Sequence, residues 1–143
     1  MYAECAKTLR RWCNSAPRSV QLPADKIEAM LIRALTIRQP FAELILRGEK
    51  RAECRTWLTD YRGLLAVHAA QLLDRDALRR YPHLDPDGLA LGAIVGIVRL
   101  TDVRRRRDQF RWLLADPIRL PEPLPCRGRL SLWTASLNLP NLP

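Results

Sequence analysis

LTIRQPFAELILRGEKRAECRTW, residues 35–57, places a turn, a bracketed helix and an alternating polar stripe in one short run. Residues 34–38 read as a strand that Gln39-Pro40 turns. Pro40 suits the first helical position, where its missing N–H would be unpaired anyway. Phe41, Leu44 and Ile45 supply an apolar stripe, and Gly48 can take the positive φ that ends a helix. Residues 51–57 then read as extended. Side chains alternate along a strand, so Arg51, Glu53, Arg55 and Trp57 share one face while Ala52, Cys54 and Thr56 share the other. The second face is expected to pack and the first to carry chemistry. Two guanidiniums around a carboxylate form an ion-pair ladder whose outer donors stay free for phosphate or base edges, and Trp57 stands beside them for stacking. A charge ladder on a solvated face fits the same spacing.

Working outward, residues 58–62 read as a polar loop and residues 63–69 (GLLAVHA) as a second strand. Residues 74–81 have a helical pattern with Asp74 at the cap, followed by a loop through Pro82, Asp85-Pro86 and Asp87-Gly88. Residues 92–103 hold the run AIVGIV, apolar on both faces, which predicts a central buried strand in which Gly96 permits a bulge or a close approach. Residues 109–114 and 128–133 add strands, with the Pro-rich run 117–125 read as the separator. Residues 1–33 are irregular and broken by Pro17 and Pro23, and are read as an appendage, either partly helical over 25–32 or preceding a true start at Met30. A domain over 34–137 and a tail over 138–143 complete the division.

A length of 143 residues with 48% hydrophobic residues suits one domain. The balance of 24 Lys plus Arg against 15 Asp plus Glu gives +9, and the pI near 10.3 points to polyanions. Only Lys7, Lys26 and Lys50 among those cations are lysines, so arginine-rich codon usage is the competing explanation. No apolar run approaches the roughly 20 residues that span a bilayer, and an intracellular, cytoplasmic protein is expected. Cys5, Cys13, Cys54 and Cys126 form no C-x-x-C pair, and His68 and His83 stand at no ligand-like spacing from them, so neither metal nor cofactor is expected. Cys54 and Cys126 are read as small packed residues.

Gly48, Lys50, Glu53 and Arg55 fit the pattern G-x-K-x-x-E-x-R, with Arg38-Gln39-Pro40 just upstream and G-x-L-x-L-W at residues 128–133. On these residues the chain resembles the ASCH (activating signal cointegrator homology) family over about residues 34–135. Tyr61-Arg62-Gly63 and His68-Ala69 resemble the cointegrator branch, and Phe41 departs from the tryptophan usual after Gln-Pro. The resemblance implies an α+β fold, a small PUA-like mixed β-barrel of five or six strands with short flanking helices. It also implies a cleft for RNA or a modified nucleotide, bordered by the helix ending at Gly48 and the strand after it, with Lys50 and Arg55 pointing in. An enzymatic branch deacetylates N4-acetylcytidine with the motif lysine and a threonine three positions on; Glu53 stands there instead, and a carboxylate orients water rather than attacking.

The leading expectation is an RNA- or modified-nucleotide-binding module, acting in transcription or translation, with Arg38, Gln39, Lys50, Glu53, Arg55, Trp57, Arg62, His68, Arg104 and Arg105 at its interface. DNA is an alternative ligand. A hydrolase using the same cleft, with Lys50 and Glu53 catalytic, and a module docking a protein partner are the competing classes. His68 lies in an apolar strand, where a hydrogen-bonded core role competes with a direct one. Arg104 to Arg107 follow the central strand as the densest positive run, suited to phosphate contacts without sequence specificity.

Overall fold

In the computed structural model, which describes residues 29–137, six strands form one mixed sheet with two short helices. The strands are β1 (Met30–Gln39), β2 (Ala52–Arg55), β3 (Gly63–Leu73), β4 (Ala93–Arg106), β5 (Gln109–Pro125) and β6 (Leu132–Leu137). The helices are α1 (Phe41–Leu46), between β1 and β2, and α2 (Arg75–Leu78), after β3. Hydrogen bonding runs in the order β2-β5-β4-β3-β1-β6, with β1 and β3 parallel and the β3/β4, β4/β5 and β2/β5 pairs antiparallel. This is the expected α+β sheet with short helices. Residues Ile32–Ala135 form one compact unit.

The bracket around α1 forms as the sequence indicates. Ala42, Leu44, Ile45 and Leu46 are buried, Gly48 has φ +76, and the Leu44 carbonyl accepts the N–H groups of Glu49 and Lys50 at 3.0 Å each. Pro40 stands one place earlier than expected, as the N-cap, after a cis peptide bond. Asp74 caps α2 through Oδ1, which accepts the Ala77 N–H at 2.8 Å. Residues 93–98 of β4 are buried throughout, in a core that includes Leu35, Ile37, Ile45, Leu65, Val67, Val98 and Trp112. A Cβ built on Gly96 would lie 2.3 Å from Leu46 Cδ2 and 2.5 Å from the Ile118 carbonyl oxygen, so the close approach is real.

Several expectations change: the helix read over 74–81 shortens to Arg75–Leu78, and the strand read over 128–133 falls at Leu132–Leu137. The helix over 25–32 lies mostly outside the described residues, and its last three positions, Met30 to Ile32, instead begin β1. The extended stretch 51–57 shortens to Ala52–Arg55. The Pro-rich run is no separator: β5 continues through it to Pro125, opposite Ala93. Pro125 pairs with Ala93, while Pro121 and Pro123 fall where β5 bulges away from the regular ladder, between the pairs Gly96 with Arg119 and Ile94 with Leu124. Among the described residues, β2 pairs with β5 only as far as Leu113, and no strand pairs with that side beyond it.

The sheet is curled. β2 and β1 lie four places apart in the hydrogen-bonding order, about 19 Å in a flat sheet at about 4.8 Å per step. Yet Arg55 Nη2 of β2 donates to the Thr36 carbonyl of β1 at 2.8 Å. Curling brings the two strands face to face across a seam closed by a side chain instead of a ladder.

Tyr61 fastens the loop before β3. It packs on the core, and its hydroxyl donates to the Leu64 carbonyl. Burial pushes its phenol above the ordinary value, with Arg33 pulling the other way. A phenol raised in the folded state stabilises the fold fully below about pH 10, and that contribution is lost as pH rises through the folded value. Tyr61→Phe should therefore cost about 1 kcal/mol at neutral pH and flatten the alkaline decline. Urea midpoints at about pH 8 and about pH 11 check this, and an equal alkaline decline in both proteins would refute the assignment.

Candidate functional site

The seam between β2 and β1 opens into a cleft of about 460 Å³. Leu35, Thr36 and Arg38 of β1, Phe41 of α1, Glu53, Cys54 and Arg55 of β2, Ala70, Asp74, and Arg129, Leu130 and Ser131 line it. The polar face of β2 turns inward here. Glu53 and Arg55 are half-buried while Cys54 and Thr56 are exposed, the reverse of the expected packing. The cause is that β2 is the end strand of a curled sheet, so one of its faces looks into the seam and the other into solvent.

Glu53 organises the floor. Lys50 Nζ donates to Glu53 Oε2 and to the Ala52 carbonyl, both at 2.7 Å, and Arg55 Nη2 stands 3.5 Å from Glu53 Oε1. The carboxylate is thus flanked by Lys50 and Arg55, where the spacing suggests Arg51 and Arg55; Arg51 is exposed, near the Gly48 carbonyl at 3.5 Å. Lys50 does not line the cleft. It buttresses Glu53 from behind, 5.4 Å above the Phe41 ring, and borders a separate hollow of about 390 Å³. Burial draws Arg55 down from its ordinary value, with Glu53 opposing. Its Nε is buried without a partner among the described residues, a donor left over beside the cleft.

The other nominated residues divide. Arg38 lines the cleft with Arg55. Gln39, 1% exposed, is an internal clamp: Nε2 donates to the Ala90 carbonyl at 3.0 Å, Oε1 accepts the Glu43 N–H at 2.9 Å, and its carbonyl accepts the Asp74 N–H at 2.8 Å. Trp57 meets Trp112 edge-on at 4.6 Å and packs on the core. His68 is 1% exposed; its Nε2 donates to the Cys126 carbonyl at 2.9 Å, and its ring meets Trp133 edge-on at 5.5 Å. Arg62 and Arg104 are tied to one carboxylate, Asp102, at 3.5 and 3.0 Å. The Arg104 hydrogen bond, with the Val103 N–H, holds that carboxyl below its usual range. Arg105 Nε reaches the Arg107 carbonyl at 3.3 Å.

Reading the sequence missed Phe41, Asp74, Arg129 and Leu130 as lining residues, and Arg127 nearby. Their only sequence signal was charge or apolarity, because the segment from Cys126 to Ser131 reaches the cleft by long-range contacts. Thr36 Oγ1 donates to the Arg129 carbonyl at 3.3 Å across 93 residues, and Trp133 Nε1 donates to Thr36 Oγ1 at 3.2 Å.

Through Thr36, Ala70, Arg129 and Leu130 the cleft adjoins an open hollow that includes Arg127. A separate hollow of about 350 Å³ at the β4–β5 turn, lined by Arg106, Arg107, Asp108, Gln109 and Arg111, shares only Cys54 with the cleft. Arg38, Arg55, Arg129 and Arg127 therefore lie along one track. Such a track offers donors to successive anionic groups. Among the described residues no three His, Cys, Asp or Glu side chains gather as a metal site requires, and no helix is long and apolar enough to cross a membrane.

A profile of the ASCH domain matches residues 35–123. Activating signal cointegrator 1 of Homo sapiens is 27% identical over 124 residues, covering 69% of this chain and 21% of that protein, so the chain spans about a fifth of the length of this curated relative. Among solved structures, a point-mutant ASCH protein from Zymomonas mobilis aligns with a TM-score of 0.45 at 12% identity, covering 65% of this chain and 74% of that one.

Proposed function

Because the chain belongs to the ASCH domain family, which is associated in general with nucleic-acid binding, we propose that it binds RNA or a modified nucleotide along the arginine track. The observation that carries this reading is the overlap of the cleft with the hollow beside it, which sets Arg38, Arg55, Arg127 and Arg129 around one opening of small-ligand size. The acids along it are largely committed: Glu53 to Lys50 and Arg55, Asp74 to the α2 cap. A phosphate backbone laid along the track meets cations throughout.

Binding of this kind weakens with salt through counterion release. For short single-stranded RNA, replacing Arg127 and Arg129 together by serine should flatten the log–log salt dependence by about 1 for each phosphate that is no longer neutralised. Cys54, exposed where two hollows meet, should be shielded from alkylation by bound RNA, while Cys126, whose thiol burial pushes up, should react slowly with or without it. An unchanged slope together with unshielded Cys54 would put the RNA elsewhere; DNA of the same sequence is the competitor that sets specificity.

The hydrolytic alternative draws on the Glu53 carboxylate at the cleft floor. Both of its oxygens face cations, which hold it in place and reduce its reach as a base. Strand integrity in the same samples decides: cleavage abolished by Glu53→Gln would establish the enzyme.

A further inference from the structure

We propose that Leu130 is an apolar wedge that takes the place of a nucleotide drawn out of paired RNA into the cleft. This rests on the RNA-binding reading above. Leu130 is 94% exposed although it borders two adjoining hollows, so its side chain has almost no partner among the described residues. Its backbone, by contrast, is pinned. The Cys126 N–H donates to the Gly92 carbonyl at 3.1 Å, the Cys126 carbonyl accepts from His68, and the Arg129 carbonyl accepts from Thr36. A Cβ on Gly128 would lie 2.7 Å from His68 Cε1 and 2.8 Å from Thr36 Oγ1, so the strap lies flush on β1 and β3. Ser131, at φ 58, then turns the chain into β6. A large apolar side chain is thus held out on a rigid support, directly after Arg129, at the mouth of a cleft lined by Arg38, Arg55 and Arg129.

A cleft of about 460 Å³ lies within the range of sites that take one small ligand, and a single nucleotide is such a ligand. A single strand can present a base there without help. A paired strand must give up one nucleotide from the stack, and proteins that do this fill or pry the vacated step with an apolar side chain. Leu130 stands where such a side chain is needed, and Arg127 and Arg129, in the hollow it borders, offer guanidiniums to the neighbouring phosphates.

The test compares three labelled RNAs: a hairpin, its stem sequence as a single strand, and the hairpin with one mismatched pair. Leu130→Ser removes an exposed side chain and should leave the melting temperature unchanged. It should weaken hairpin binding about tenfold, keep single-strand binding within about twofold, and recover most of the loss on the mismatched hairpin, where unpairing is already half accomplished. Equal weakening of hairpin and single strand, or no weakening of either, overturns the wedge. If the unaltered protein holds the single strand and not the hairpin, the binding reading stands and extrusion falls. If it holds none of the three, both fall.

Discussion

Gly96→Ala is expected to destabilise the domain by about 3 kcal/mol, and Gly96→Val to leave no cooperative unfolding transition. Overpacking usually costs about 1–3 kcal/mol because neighbouring side chains yield. At Gly96 only one of the two neighbours can. The Leu46 methyl, 2.3 Å from the new Cβ, can rotate, but the Ile118 carbonyl oxygen at 2.5 Å belongs to β5, whose Ile118 is paired to Ile97 of β4. Moving that oxygen shifts the β4–β5 ladder, where the register already slips beside Gly96. For a domain of this size the loss corresponds to a fall in Tm of roughly 10 °C or more. Gly88→Ala is the control, since nothing stands within 3.8 Å of its Cβ. Its midpoint should move by less than about 0.5 kcal/mol. Equal midpoints for the two variants would mean that β4 and β5 are not held as described.

Arg55→Ala is expected to reduce both stability and RNA affinity, by about 2 kcal/mol and about tenfold or more. The two effects have separate causes. Stability falls because the Thr36 carbonyl loses the charged donor that spans the seam, and Glu53 is left with Lys50 alone. Affinity falls because the cleft loses one of the guanidiniums that line it. Arg55→Lys separates them. A lysine restores the charge, and with it most of the salt dependence, but its compact ammonium cannot serve the Thr36 carbonyl, Glu53 and a ligand at once. Denaturant midpoints and RNA titrations on both variants give the answer. An unchanged midpoint in Arg55→Ala would mean that the seam closes by other contacts, and unchanged affinity that RNA does not use this cleft.

Much of this arrangement was legible in the sequence, for physical reasons that also explain what was not. Pro40, Gly48 and Asp74 act on their own neighbours, so the bracket of α1 and the cap of α2 follow from chemistry within a few residues. AIVGIV announces burial on both faces, and Gly96 the contact no side chain allows. The site was harder because its residues are sorted by curvature. Alternation along β2 groups Glu53 with Arg55 correctly, but does not say which face looks inward, and so the expectation that Cys54 packs and Trp57 stands free is reversed. Lys50 and Glu53 are three residues apart and do meet, yet only the turn after Gly48 decides that the lysine supports the carboxylate from behind. Arg129 and Leu130 carry no local signal: their place at the cleft depends on Thr36, 93 residues away from Arg129.

The three alternating prolines of β5 bear on how copies of this chain meet one another. A strand whose outer side has no partner offers a row of backbone donors and acceptors to any passing strand, and unguarded sheet margins of this kind seed fibrils and swapped dimers. Pro121, Pro123 and Pro125 each delete one such donor covalently, and no fluctuation can restore it. That margin is thereby a poorer template for its own kind.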